Sequence, residues 1–438
     1  MSVRAVARPR ITSLLAIVTA LGVPVAAHAQ RSVDLAALAA DSPTTTCIGS
    51  TTTPPSVRIV ACSAALDSKT IAGADRAAAF VQRGQAYRAV RDEERAQADF
   101  RAAVAQFDSL TEPNRLNSAH FLQRAIARHA IGDAVRALAD YDAALAQDPG
   151  NARAHLDRGI LLARDPARLR EAIAAFDRAL AIVPDNVDSL LFRADAHLRL
   201  SELGAAKADA QRAAMLSPNN PRTIFLRGYV AARLGDNDQA FADYSEALKL
   251  DPRFTAALVN RAAILSTRGD HDAALEDANA ALELDPDNVL AHYNRGYAHF
   301  AKHQYDDAIA DYSEAVRHDH TLVWAYANRC LTRTIVGRDL ADALADCDRA
   351  LALQPGNLET RETRGFIFLK RGQPEKALEE YDAVLQADPN RPLALFGRGM
   401  ARRATGQTAQ GLADERAARA LLPTVGQEFA RYGLEVPT

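Results

Sequence analysis

From residue 77 to residue 425, small and apolar side chains return at fixed positions about every 34 residues. An Arg followed by a small residue marks each return: Arg83-Gly84, Arg124-Ala125, Arg158-Gly159, Arg193-Ala194, Arg227-Gly228, Arg261-Ala262, Arg295-Gly296, Arg329-Cys330, Arg364-Gly365 and Arg398-Gly399. The ten units run 77–117, 118–151, 152–186, 187–220, 221–254, 255–288, 289–322, 323–357, 358–391 and 392–425. Units three and eight each hold one extra residue, within Ala163–Arg170 and Gly337–Asp342. The first has a longer tail through Thr111-Glu112-Pro113.

Let the small residue be position 8. Position 20 is then Ala in nine units and Gly411 in the tenth, and position 27 is Ala in all but one, Val384. Bulk gathers at position 4 (Phe80, Phe121, Leu190, Tyr326) and position 24 (Phe100, Tyr141, Phe176, Tyr244, Tyr312, Tyr381). The spacings 4-8-11 and 20-24-27 each trace one face of a 3.6-residue helix. Gly235, Gly269, Gly337, Gly372 and Gly406 fall between the two faces as stop signals, and prolines such as Pro184, Pro252 and Pro286 close the second. Each unit therefore predicts two closely packed antiparallel helices, and the chain an all-α fold. Composition agrees: apolar residues are 48% and aromatics only 6%, too much to bury for a disordered chain and too few aromatics for β-sandwiches.

Period, small positions, aromatic 24 and proline 32 together resemble the tetratricopeptide repeat. The resemblance covers 77–425 and implies a right-handed superhelical solenoid with a concave groove lined by positions 2, 5, 9, 12 and 13 of each first helix. One departure is position 7, Arg in every unit, where the family prefers Leu. Residues 56–76 read as an N-terminal capping half-repeat (a lone second helix over 56–67) and its connector. A solvating helix is expected over Thr424–Leu434, with 426–438 as the C-terminal capping segment.

Ahead of the repeats, Arg4, Arg8 and Arg10 precede a short apolar run, Ile11 to Val23, and Ala27-His28-Ala29 reads as a cleavage site. Residues 1–29 are thus expected to be a signal peptide, too short in its apolar run to span a membrane. No cysteine follows the site for a lipid anchor. Residues 30–55, rich in Ala, Ser, Thr and Pro, read as a flexible linker. The expected location is periplasmic or secreted. With a formal charge of −3 there is no basic field to recruit nucleic acid.

Position 23 is acidic in nine units, from Asp99 to Asp414, with Ala175 the exception. In a hairpin turning near position 16, positions 7 and 23 lie at similar heights, which predicts an Arg–acid ladder within or between repeats. A basic stripe for anionic ligands is the alternative. By the same geometry Cys330 at position 8 and Cys347 at position 24 are opposite one another and can bridge. Cys62 takes the position-24 place in the capping helix, with Cys47 on a loop able to fold back to it; similar exported repeat proteins carry cysteines in these places. The alternative is four buried thiols. Unit seven holds His292, His299, His303, His318 and His320, and His299 and His303 have an i, i+4 spacing, but no carboxylate completes a metal set. No phosphate-binding loop, nucleophile elbow, zinc-protease motif or dinucleotide fingerprint occurs. The expectation is a non-enzyme without cofactor or metal.

The groove is the candidate site. Position 5 offers Leu122, Leu156, Leu191, Phe225, Val259, Tyr293 and Phe396, and position 9 Ile126, Ile160, Tyr229, Tyr297, Phe366 and Met400. Phe300 and Trp324 add to them at positions 12 and 2. Phe225, Tyr229, Tyr293, Tyr297, Phe300 and Trp324 are the expected anchors for a protein or extended peptide, unless these side chains pack mostly between repeats. Asn260, Asn294 and Asn328 recur at position 6, where they resemble the backbone-binding asparagines of O-linked sugar transferases. The Lys and Asn of the family's carboxylate clamp are absent from positions 5 and 9. The expected function is an exported interaction scaffold; the alternative is an architectural subunit of an envelope assembly or secretion machine.

Overall fold

Neither apolar face of a unit is wide enough to be buried alone, so the two helices close on each other. The computed structural model describes residues 43–49, 53–68, 71–110, 116–431 and 433–434. Among them 23 α-helices follow in tandem, with no strand. The expected signal peptide, 1–29, lies outside the described residues. The described residues divide into two bodies, one ending at Ala240 and the other beginning at Phe241.

Local chemistry sets the helix ends. Asn151, Asn186, Asn288 and Asn357 stand before first helices and accept the backbone N–H three residues on, using a donor the helix cannot satisfy itself. Position 15, between the helices, takes a positive φ in nine repeats. Glycine fills it at Gly132, Gly235, Gly269, Gly337, Gly372 and Gly406, but Arg91, Ser201 and His303 are forced into it. Repeat three instead spends its extra residue on a 3₁₀ turn, Pro166–Arg168.

The helices touch at position 8. A β-carbon on Gly159 would stand 2.5 Å from the Phe176 ring, and one on Gly365 would stand 2.9 Å from Tyr381. The position-24 ring thus occupies the space that glycine leaves. Where position 24 is small, as Ala210 and Ala278, position 8 is Ala194 and Ala262. Repeat eight fills the same volume with the disulfide Cys330–Cys347, Cα atoms 5.5 Å apart and both residues buried.

The ladder pairs both within and between repeats. Position-7 arginines reach the acid sixteen residues on in their own repeat, seventeen on in repeat eight: Arg193 Nη2 donates to Asp209 Oδ1 at 2.6 Å, Arg261 Nη2 to Asp277 Oδ1 at 2.7 Å, and Arg398 Nε to Asp414 Oδ2 at 2.8 Å. The other arm reaches position 25 of the preceding repeat, sixteen residues back. Arg193 meets Asp177 at 2.5 Å, Arg295 meets Asn279 at 2.9 Å, Arg329 meets Ser313 at 3.0 Å and Arg398 meets Asp382 at 2.9 Å. Arg158, whose own repeat has Ala175 in place of the acid, keeps the backward arm, to Asp142 at 2.7 Å. The acids are buried and the arginines partly open, so these are structural pairs.

The front end departs from expectation. Residues 30–55 read as irregular, yet Pro43–Ile48 is a helix whose Cys47 is bonded to Cys62 in the helix Pro55–Asp67. Six residues are too few to hold a helix in water; the buried disulfide and the neighbouring Leu66 and Ile71 hold this one. Arg83 also reaches back to Ser63 Oγ at 3.1 Å, which puts Ser63 at position 25. The cap is therefore a shortened whole repeat rather than half of one. At the back, Val425–Arg431 forms the expected helix, and Phe429 packs against Phe396 and Phe366.

Two outcomes follow from these contacts. Arg261→Leu strands the buried Asp277 and should cost about 3–5 kcal/mol, most of it recovered when Asp277→Leu is added; hydrogen exchange over 255–284 reads the loss, and a double variant no more stable than the single would refute the pairing. Mass spectrometry of the unreduced protein should find both disulfides, each closing a loop that stabilises by about 3 kcal/mol in the chain-entropy model. Four free thiols would contradict both.

Candidate functional site

Positions 2, 5, 9, 12 and 13 form one face of each first helix, but depth differs sharply along it. Position 5 is mostly buried: Leu156, Leu191, Val259, Tyr293 and Phe396 are each at or below 5% exposure. These side chains pack the first helices rather than line an open surface. In the body ending at Ala240, Phe225 is half-buried and stacks at 6.1 Å on Tyr229, itself buried. In the body from Phe241, Tyr293 is buried against Tyr312, while Tyr297, Phe300 and Trp324 remain half-buried.

The asparagine row is turned inward. Asn260 Nδ2 donates to the Ala256 carbonyl one turn back, at 2.8 Å. Asn294 Nδ2 donates to the Val259 carbonyl of the preceding repeat at 2.9 Å, and Asn328 Nδ2 to the Tyr293 hydroxyl at 3.1 Å. The last two join neighbouring first helices at a height where an all-apolar seam would leave Tyr293 unsatisfied.

The face opens among the last three repeats. A recess of about 80 Å³ lies among the first helices of repeats eight (Val323–Val336), nine (Leu358–Lys370) and ten (Pro392–Ala404). Trp324, Leu331, Ile335, Phe366 and Leu393 form its apolar walls, with Phe429 of the last helix closing one side. Its cause is local. Position 5 carries a large apolar side chain in eight repeats, but is Ala327 in repeat eight and Glu362 in repeat nine. Ala327 is too short to fill the gap. Glu362 turns to Arg391, which donates from Nε to Oε1 at 2.9 Å and from Nη2 to Oε2 at 2.7 Å. Burial pushes the Glu362 carboxyl above its usual range, and Arg391 only partly opposes that.

Of the residues lining the recess, Trp324, Asn328 and Phe366 are among the groove residues that the sequence singles out, while Leu331, Ile335, Glu362, Tyr381, Leu393 and Phe429 are not. The available signal was the loss of bulk at Ala327 and Glu362, a break in a series that is otherwise unbroken.

Tetratricopeptide-repeat models match residues 158–221, 221–254, 264–303, 289–322 and 332–402. The chain belongs to the tetratricopeptide-repeat family. No curated protein matches it in sequence. Its fold is similar to that of a tetratricopeptide repeat protein from Parabacteroides merdae, at 19% identity and TM-score 0.46 over 57% of this chain and 98% of that one. It is also similar to the APC/C hetero-tetramer Cut9-Hcn1 (13%, TM-score 0.49, 87% and 93%) and to a human IFIT1 dimer with m7Gppp-AAAA (15%, TM-score 0.47, 79% and 90%). These likenesses are of fold alone.

Two of the five histidines of tetratricopeptide repeat seven, His292 and His299, approach one carboxylate, Asp311. His292 faces Asp311 through Nδ1 at 3.4 Å and the Pro286 carbonyl through Nε2 at 2.9 Å. Both ring nitrogens meet acceptors, an arrangement that suits the doubly protonated ring. Arg295 and His299 approach the same Asp311, and His318 stacks on His292. His303 stands apart, beyond the helix end at Ala301, bonded to the Tyr305 hydroxyl. The i, i+4 pair therefore shares no helical face, and no group of three or more metal-ligating side chains converges among the described residues. Nor is any described helix long and apolar enough to cross a membrane.

Two repeats should answer pH in opposite senses. The Asp311 hydrogen bond raises the His292 pKa, so this stabilisation is complete below about 6.5 and is lost as pH rises through the raised value. For Asp311, burial pushes the pKa up, but His292 and Arg295 together outweigh it and hold the carboxyl below its usual range; that contribution is present above about 4 and is lost in stronger acid. In repeat two, burial pulls His129 down to about 4, so its neutral form stabilises above about 6.5. That stability is lost as pH falls, by roughly 3 kcal/mol at the acid limit. Hydrogen exchange, corrected for intrinsic rate, should show repeat seven more protected at pH 5.5 than at pH 8 and repeat two less. His292→Gln and His129→Gln should each flatten its own trend; parallel trends in the two repeats would contradict both assignments.

Proposed function

We propose that this protein is an exported scaffold, periplasmic or secreted, that holds an extended peptide or protein segment against the first-helix face of its repeats. The observation that carries the reading is the recess beside Trp324, where the face offers apolar depth. Elsewhere along that face the large position-5 side chains are spent on packing. Export is supported by the charged, apolar and small-residue succession of residues 4–29 and by two disulfides, which persist in oxidising compartments. The scaffold uses no cofactor and carries out no reaction of its own.

Crosslinking pull-down from the periplasmic or secreted fraction tests this reading. A central aromatic anchor carries at least ~2 kcal/mol, or about 30-fold in affinity. Trp324→Ala and Tyr297→Ala should therefore weaken capture by about that factor while circular dichroism stays unchanged, because repeats hold their neighbours independently of one surface side chain. Glu379→Ala, on an exposed second-helix position, should leave capture intact. Capture that survives the first pair and fails on second-helix substitutions would instead indicate an architectural subunit.

A further inference from the structure

Within that peptide-binding reading, we infer that the recess takes one branched aliphatic side chain from the interior of an extended peptide, with a basic residue next to it. The volume, about 80 Å³, is roughly half that of an apolar cavity that holds benzene, so it suits a leucine-sized group. Its walls from Trp324, Leu331, Ile335, Phe366 and Leu393 offer that group apolar contact.

Charge selects what lies beside it. Glu359 and Glu362 are the charged side chains lining the recess. A single guanidinium, Arg391, is shared between them: it holds Glu362 at 2.7 Å and Glu359 at 3.3 Å. Two carboxylates against one cation leave the side of the recess held by Glu359 and Glu362 net negative, and Glu359 stands exposed; Lys370, which reaches the recess at Thr334, is tied to that residue's carbonyl at 2.9 Å. A lysine or arginine beside the inserted side chain is attracted there. A carboxylate, whether from an acidic neighbour or a free chain end, is repelled.

Two buried hydroxyls supply the remaining recognition. Tyr381 is 1% exposed and Thr360 2%; both line the recess, and neither hydroxyl has a hydrogen-bond partner among the described residues. The Tyr381 ring comes from a second helix and its tip lies against Gly365 and Gly397, one on each neighbouring first helix. The hydroxyl end is thus the part that reaches the first-helix side, where a peptide backbone offers both donors and acceptors. A buried hydroxyl left unpaired is costly, and an entering peptide relieves that cost.

Trp324 is the chain's one tryptophan, so its fluorescence reports the recess alone. The probes are blocked hexapeptides, acetyl-Gly-Lys-Leu-Ser-Gly-Ser-amide and its analogues with Glu for Lys, Asp for Leu, or an unblocked C-terminal Leu. The Lys-Leu peptide should change Trp324 emission saturably and shield it from acrylamide, binding about tenfold tighter than the Glu-Leu peptide. The Asp analogue and the free carboxylate should bind more weakly still. Ala327→Leu restores the bulk found in other repeats and should weaken the Lys-Leu response about tenfold or more. Should that variant fail to fold, acrylamide shielding in the unsubstituted protein decides the same question. Equal affinity for Lys-Leu and Glu-Leu peptides, or no emission change and no shielding by the Lys-Leu peptide at millimolar concentration, would overturn the inference. Partner capture that persists with Trp324 silent would leave the scaffold standing and refute only this occupant; loss of capture on second-helix substitutions would refute the scaffold itself.

Discussion

The closest approach of the two helices, where position 8 meets position 24, fixes everything else in a repeat. Most repeats fill the space there in one of three ways: glycine with an aromatic ring, as Gly159 with Phe176; alanine with alanine, as Ala194 with Ala210; and a disulfide, Cys330 with Cys347; repeat two sets Ala125 against Tyr141, and repeat ten sets Gly399 against Glu415. Volume conserved across facing positions is what a densely packed interior demands. Because this contact sets the hairpin's register, residues sixteen apart come to equal heights. Arg at position 7 then finds a polar group sixteen residues ahead and another sixteen behind. The ladder is a consequence of the packing, although its members are charged.

That ladder explains how the family's usual apolar position 7 can be replaced without loss of order. Asp209, Asp277 and Asp311 are nearly fully buried, and a buried carboxylate is tolerated only when paired and hydrogen-bonded. Two parallel N–H···O bonds from one guanidinium supply both conditions, in a geometry lysine cannot copy. The backward arm meets small polar groups, Asp177, Ser245, Asn279 or Ser313. Each of these repeats is thereby held to the one before it by a bond that is satisfied only in a single register.

Features with a fixed period were legible in the sequence. The hairpins, the Arg–acid pairs and the Cys330–Cys347 contact each depend on spacings that recur or on one short separation. Depth was not legible in the same way. Tyr293 and Tyr297 are four residues apart on one helix, yet one is buried and the other is half-open, while in repeat five the order is reversed, with Phe225 half-buried and Tyr229 buried. The asparagines at position 6 pointed to a ligand by analogy, but Asn294 and Asn328 hydrogen-bond the preceding repeat. The Pro43–Ile48 helix had no period to show: a disulfide to the next helix makes it, not its own six residues. The recess is the hardest case, since it arises where two consecutive repeats omit a side chain and where Tyr381 and Phe429 arrive from other helices.

The place of the second disulfide bears on that recess. Without large apolar groups at Ala327 and Glu362, repeats eight and nine forgo the side-chain packing that joins first helices elsewhere. In a linear array each interface depends on its own contacts, so such a gap is a local weak point. The chain reinforces it from both sides. Cys330–Cys347 locks the hairpin of repeat eight, and the Cys347 sulfur lies 3.6 Å from the Thr360 carbonyl of repeat nine. Arg391 clamps Glu362 with two hydrogen bonds from the connector to repeat ten. With a covalent bond on one side of the opening and a buried ion pair on the other, the stack can keep a recess among repeats eight to ten without coming apart at that joint.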